Sequence, residues 1–171
     1  EDNRLLNNGV AEVSEDHSEA TLRVLRYELE TFVCDGQYAK GLETILDTFL
    51  RNLDGRTEQP GIWISGFYGS GKSHLAKMLR ILWTDFVFAD GVTARGVARL
   101  PTRVTDALKE LTTAGRRFGG LHAAAGKLGA GAGDNVRLAL LGIVLKSRKL
   151  PEQYAQAQFV MWLRREDLLA T

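Results

Sequence analysis

Residues 66–73 read Gly66-Phe67-Tyr68-Gly69-Ser70-Gly71-Lys72-Ser73, a complete G-x-x-x-x-G-K-S phosphate-binding loop. The residues on either side take the form that this loop demands. Before it, Pro60-Gly61 introduces Ile62-Trp63-Ile64-Ser65, a short apolar and β-prone run. After it, Leu75, Met78, Leu79 and Leu82 recur at helical spacing up to Trp83. Strand, glycine loop and helix in this order set a working phosphate loop apart from a chance match. The expectation is an α/β fold with at least part of a parallel sheet and flanking helices.

Each loop position has a physical role. Gly69 and Gly71 let the backbone take conformations closed to other residues and approach phosphates closely. The amides then form a concave nest at the N-terminus of the next helix, where the dipole favours anions. Lys72 would supply a compact positive charge to the β- and γ-phosphates, and Ser73 would offer its hydroxyl to Mg²⁺. The His74 amide would extend the nest, while its imidazole is better read as packed or solvated than as catalytic. Phe67 and Tyr68 occupy optional positions, where packing over the loop is preferred to gating. The candidate nucleotide site is therefore Gly66, Phe67, Tyr68, Gly69, Ser70, Gly71, Lys72, Ser73 and His74, with Ser73 as the Mg²⁺ ligand.

The remaining composition is that of an ordinary globular chain. At 171 residues, with 44% hydrophobic and 25% charged side chains, it can bury a sizeable core. Cys34 is the sole cysteine, so no intrachain disulfide is possible and a reducing cytoplasm is expected. The apolar run Leu138–Leu145 is too short to span a bilayer, and no signal segment opens the chain. The net charge of +1 conceals an uneven distribution. Residues 1–60 carry 13 acidic and 6 basic side chains, whereas residues 91–149 carry 11 basic and 3 acidic ones. A basic span can be a nucleic-acid footprint. Phe118 is its only aromatic residue, where a single-strand stacking groove would want several, so a solvated or internally paired surface is preferred.

Along the chain, residues 1–36 read as an N-terminal arm and helix, and residues 37–171 as the N-terminal part of a nucleotide-binding domain. Leu22, Leu25, Leu29 and Phe32 form a helical stripe that begins near Ser18 and is broken by Asp35-Gly36. A second helix runs from Gln37 to Leu53, with Leu42, Ile45, Leu46, Phe49 and Leu50 on one face. A helix placed directly before the loop's strand is the AAA+-like arrangement. By that analogy Phe32, Val33 and the Asp35-Gly36 turn would line the base, although Phe32 and Val33 serve equally well as core. Residues 84–100 read as loop with short elements, and Pro101 opens a helix with Val104, Leu108 and Leu111 inward. Gly119 to Gly126 could be a buried strand of small residues, followed by a glycine-rich loop through Gly133. Asp134 would cap a helix over 135–149 with Val136, Leu140, Ile143 and Val144 inward. Pro151 starts a last helix whose apolar face holds Phe159, Trp162 and Leu163. His122 reads as packed, and three scattered histidines with one cysteine argue for no protein-based metal site.

A second acidic element is missing. Phosphate-loop hydrolases use an apolar run ending in Asp, often followed by Glu, to organise Mg²⁺ and water. Ile81-Leu82-Trp83-Thr84-Asp85 imitates it but lies at the end of the loop's own helix. There is no N-K-x-D for guanine and no L-S-G-G-Q, which favours adenine and sets aside the transporter ATPases.

The segments Phe32-Val33-Cys34-Asp35-Gly36-Gln37-Tyr38 and Gly61 to His74 resemble the N-terminal region of one family, the large P-loop ATPases of bacterial phage-exclusion (BREX) systems of the BrxC/PglY type. Gly119 to Gly126, Leu138 to Val144 and Leu150-Pro151-Glu152-Gln153-Tyr154 are similar to it as well. The resemblance implies a cytoplasmic ATP-binding subunit of an anti-phage defence system, hydrolysing ATP in its full-length form and remodelling partner proteins or DNA. It implies a DNA methyltransferase and further defence proteins as partners. An AAA+-like remodeller would complete its site with an arginine from a neighbouring subunit, as a homo-oligomer could supply. Gly66, Gly69, Gly71, Lys72 and Ser73 would bind ATP and Mg²⁺; no catalytic acid carries over. The alternative is a nucleotide-sensing scaffold without turnover. A small-molecule kinase, with a lid arginine from Arg95, Arg99, Arg116 or Arg117, lacks a visible second substrate pocket.

Overall fold

The structure is a computed structural model and describes residues 18–53, 61–126, 128 and 135–169. Its described elements are helices: α1 (Glu19–Glu30), α2 (Gly36–Leu53), α3 (Lys72–Thr84), α4 (Ala94–Val97), α5 (Thr102–Arg116), α6 (Val136–Ser147) and α7 (Tyr154–Arg165). The chain divides into two compact units between His122 and Ala123.

The first unit is organised by amphipathic stripes. Ser18 caps α1, its hydroxyl accepting from the Thr21 amide at 3.4 Å. Leu25 and Leu29 then face inward, joined by Phe32 just beyond the helix. Leu42 and Leu46 of α2, Leu75, Met78 and Leu82 of α3, and Val104, Leu108 and Leu111 of α5 complete one continuous core. Burying each such leucine fully contributes on the order of 1.5–3 kcal/mol, so these stripes fix which faces meet. α2 packs most extensively on α5, α1 lies against α4, and α3 contacts α4 and α5. Phe49 and Trp83 add an edge-to-face contact at 4.6 Å between α2 and α3.

The expected β structure is corrected by the structure. Ile62-Trp63-Ile64-Ser65 forms no strand, and no strand or sheet exists among the described residues, where an isolated Val87–Thr93 bridge is the β pairing present. The α/β, AAA+-like fold with an incomplete parallel sheet is therefore overturned: the described chain is helical. A strand is stabilised by hydrogen bonds to a neighbour, and β-prone residues without one have nothing to pair with. Ile62 and Trp63 stand 49% and 91% exposed rather than sandwiched in a sheet. Residues 119–126 likewise form no strand. Their small side chains do permit close approach: a Cβ on Gly126 would lie 2.7 Å from Ile143.

In the second unit α6 packs against α7. Asn135 caps α6 by accepting from the Leu138 amide at 3.2 Å. The inward face is not the expected one. Val136, Leu140 and Val144 are exposed, and Leu145 is the buried residue of α6. Phe159 and Trp162 of α7 are also exposed, stacked on each other at 6.0 Å, while Ala157 is buried. The expected Asp134 cap, the Gly129 to Gly133 loop, the N-terminal arm through His17 and the Asp54 to Pro60 break lie outside the described residues.

Candidate phosphate-binding loop

The glycine loop and the first turn of α3 belong to one unit. Phe67 to Ser70 closes as a turn, with the Ser70 amide donating to the Phe67 carbonyl at 3.2 Å. Gly69 and Gly71 both hold positive φ, +79° and +80°, in the left-handed region that side chains with a Cβ enter at a cost. At Gly71 the left-handed turn leads directly into α3, and no side chain caps the helix. The first bond into the helix is Leu75 amide to Gly71 carbonyl at 2.8 Å. By helix geometry the amides of Lys72, Ser73 and His74 precede it and have no acceptor inside the helix. Three donors at the positive end of a dipole are the elements of an anion site.

Lys72 folds back over this loop. Its Nζ donates to the Gly66 carbonyl at 2.9 Å, the Phe67 carbonyl at 2.6 Å and the Ser70 hydroxyl at 3.3 Å. A cation is thus held beside the loop amides by weak, exchangeable oxygen partners rather than by a carboxylate. A phosphate oxygen is a better partner for an ammonium than a peptide carbonyl, because the hydrogen bond is then charge-assisted on both sides. A Cβ on Gly66 would sit 2.9 Å from the Ser70 hydroxyl oxygen, so the serine side chain would have to turn aside.

The site residues expected from sequence, Gly66 through His74, are contiguous, and the structure separates their roles. Ser73 is exposed on the first turn of α3. His74 turns the other way, its ring edge-on to Phe32 at 5.8 Å. Burial lowers the His74 pKa, Glu28 opposes the shift, and Lys77 adds to it. The imidazole is thus packed, as its sequence context suggests. Phe67 and Tyr68, expected to pack over the loop, instead project 90% and 96% exposed. Phe32 is buried core, whereas Val33 is exposed.

A cleft of about 730 Å³ opens beside the loop, lined on one side by Tyr38, Gly41 and Thr44 of α2 and on the other by Trp63, Gly66 and Lys72. The charged side chains lining it are Lys40 and Lys72, with no carboxylate among its lining residues. The described residues fit a triphosphate: uncapped amides, a cation with exchangeable partners and, among them, no competing acid. For Mg²⁺, Ser73 offers a hydroxyl, and the described residues contain no group of three acidic, histidine or cysteine side chains to hold a metal by themselves. A cation there would enter with the nucleotide's own phosphates.

Sequence reasoning missed two residues. Tyr38 donates its hydroxyl to the Ser70 carbonyl. Arg95, weighed as a lid arginine, is instead half-buried and internal. It donates to the carbonyls of Leu82 at 2.7 Å, Trp83 at 2.9 Å and Leu108 at 2.8 Å, and to the Thr112 hydroxyl at 2.7 Å. Of the other basic residues in the 91–149 span, Lys109 pairs with Asp106 and Lys146 with Glu152, each at 3.1 Å. No described helix is long and apolar enough to cross a membrane.

No protein-family model matches the chain, and no solved structure matches it.

Proposed function

We propose that this chain binds the phosphates of ATP, carried as its Mg²⁺ complex, on the loop from Gly66 to His74. One observation carries the reading: the Lys72 ammonium rests on the Gly66 and Phe67 carbonyls beside an uncapped helix N-terminus. Phosphate oxygens would take over the lysine, the amides of Lys72 to His74 would receive the remaining charge, and Ser73 would reach the cation. The sequence resemblance extends this to an ATP-binding subunit of a bacterial anti-phage defence system, acting with a DNA methyltransferase and other defence proteins. That wider role rests on the resemblance alone.

A second reading is favoured by a specific feature. Among the described residues no carboxylate lines the cleft beside the loop, so none of those residues could position an attacking water. On the described residues alone ATP would serve as a switch or scaffold. Calorimetric titration of Mg²⁺–ATP into the protein and into Lys72→Ala tests the first reading. The wild-type protein should bind and the variant should bind at least about tenfold more weakly, as the loss of a charge-assisted partner implies. A folded wild-type protein that takes up no ATP contradicts it.

A further inference from the structure

The Asp35-Gly36-Gln37-Tyr38 turn opens α2, far from the glycine loop in sequence yet joined to it in space. The Tyr38 and Ala39 amides both donate to the Asp35 carbonyl, at 3.0 and 3.1 Å, which fixes the first turn of α2 and the direction in which the Tyr38 ring leaves it. The ring is half-buried, lines the cleft, and ends on the loop, where its hydroxyl donates to the Ser70 carbonyl. It also lies directly over Gly71, where an added Cβ would come 2.5 Å from the tyrosine oxygen.

The Ser70–Gly71 peptide leads into Gly71, the N-cap residue of α3. In a trans peptide the C=O and the N–H point in opposite directions. A carbonyl held toward Tyr38 therefore turns the Gly71 N–H away from α2. The glycine that permits this turn also makes its peptide easy to flip, because Gly71 tolerates both signs of φ at similar cost. Nothing within the loop removes that freedom: Lys72 holds Gly66, Phe67 and the Ser70 side chain, and leaves the Ser70 carbonyl to Tyr38.

We propose that Tyr38 is a positioning residue for phosphate binding, its hydroxyl latching the Ser70–Gly71 peptide and so holding the loop in one conformation where it enters α3. This rests on the phosphate-binding reading above. Tyr38 touches no phosphate; it acts through the backbone that does. The latch also accounts for the Asp35-Gly36-Gln37-Tyr38 motif, which places one hydroxyl against one carbonyl.

The test is Tyr38→Phe, which keeps the ring over Gly71 and removes only the hydroxyl. Affinities for Mg²⁺–ATP and for adenosine are measured by calorimetry, with the melting midpoint of each protein taken without ligand. Loss of one such hydrogen bond corresponds to a weakening of roughly three- to tenfold. That loss should appear for Mg²⁺–ATP, leave any adenosine binding unchanged, and leave the midpoint within about 2 °C of wild type. Equal Mg²⁺–ATP affinity in the two proteins overturns the latch while sparing the phosphate site. Equal weakening for ATP and adenosine, or a midpoint lowered by more than about 5 °C, also overturns it, because the hydroxyl would then support the fold. A wild-type protein that binds no Mg²⁺–ATP overturns the phosphate-binding reading, and the latch with it.

Discussion

Lys72 and Phe67 are joined by a 2.6 Å hydrogen bond from the lysine ammonium to the loop carbonyl, so the loop's cation is satisfied by the loop's own backbone. This bond and its two companions are local, and none ties the loop to the core. The Lys72→Ala protein should therefore keep its fold. Its unfolding free energy should stay within about 0.5 kcal/mol of wild type in urea, as for other substitutions away from the core. A larger loss would show that Lys72 is structural.

Arg95 should behave in the opposite way. α3 has no basic residue in its last turn, and Arg95 supplies the missing cation from α4 by donating to the Leu82 and Trp83 carbonyls. Through Leu108 and Thr112 it joins the same helix end to α5. Replacing it with alanine removes four donated hydrogen bonds and a favourable charge at a helix C-terminus. The expected cost is about 3 kcal/mol, measured by urea denaturation. Arg95→Lys should recover little of it, because one ammonium cannot span the acceptors that the planar guanidinium reaches.

The Glu28–Lys77 pair joins α1 to α3 at 2.5 Å with side chains only 13% and 15% exposed. Glu28→Ala leaves a largely buried ammonium without its partner and should cost about 3 kcal/mol. Replacing both residues by methionine removes the charges together and should cost less than either single alanine substitution. A double-mutant cycle on chemical denaturation reads the difference.

His74 makes stability depend on pH in a defined direction. Burial holds its folded pKa below the ordinary 6.5, so between those two values the unfolded chain binds more protons. Its contribution is fully present above pH 6.5 and is lost as pH falls toward the folded value. Lowering the pH from about 7.5 to 5.5 should thus destabilise the wild-type protein more than His74→Gln, in melting curves run side by side. Glu28 and Lys77, which flank the ring, are unchanged in the variant.

Much of the first unit is legible in its sequence because amphipathic helices carry their own instructions. The stripes Leu25–Leu29, Leu42–Leu46, Leu75–Met78–Leu82 and Val104–Leu108–Leu111 are buried as their spacing predicts. The expected strand at Ile62 to Ser65 fails because a strand depends on a partner that local sequence cannot supply. The inward face of α6 is illegible for a different reason: Val136, Leu138, Ala139, Leu140, Leu141, Ile143, Val144 and Leu145 surround the helix, so periodicity picks out no side. The glycine loop is legible as a motif. Tyr38 and Arg95 act through backbone carbonyls remote in sequence, and residue identity gives no sign of such contacts.

On the reading proposed here, ATP phosphates rest on the amides that open α3. Amide-resolved NMR spectra of the protein titrated with Mg²⁺–ATP test it most directly. The largest shifts are expected at Gly69, Gly71, Lys72, Ser73 and His74, saturating together and absent in Lys72→Ala. Saturable shifts confined to other residues, or no shifts in a folded protein at millimolar nucleotide, would contradict it.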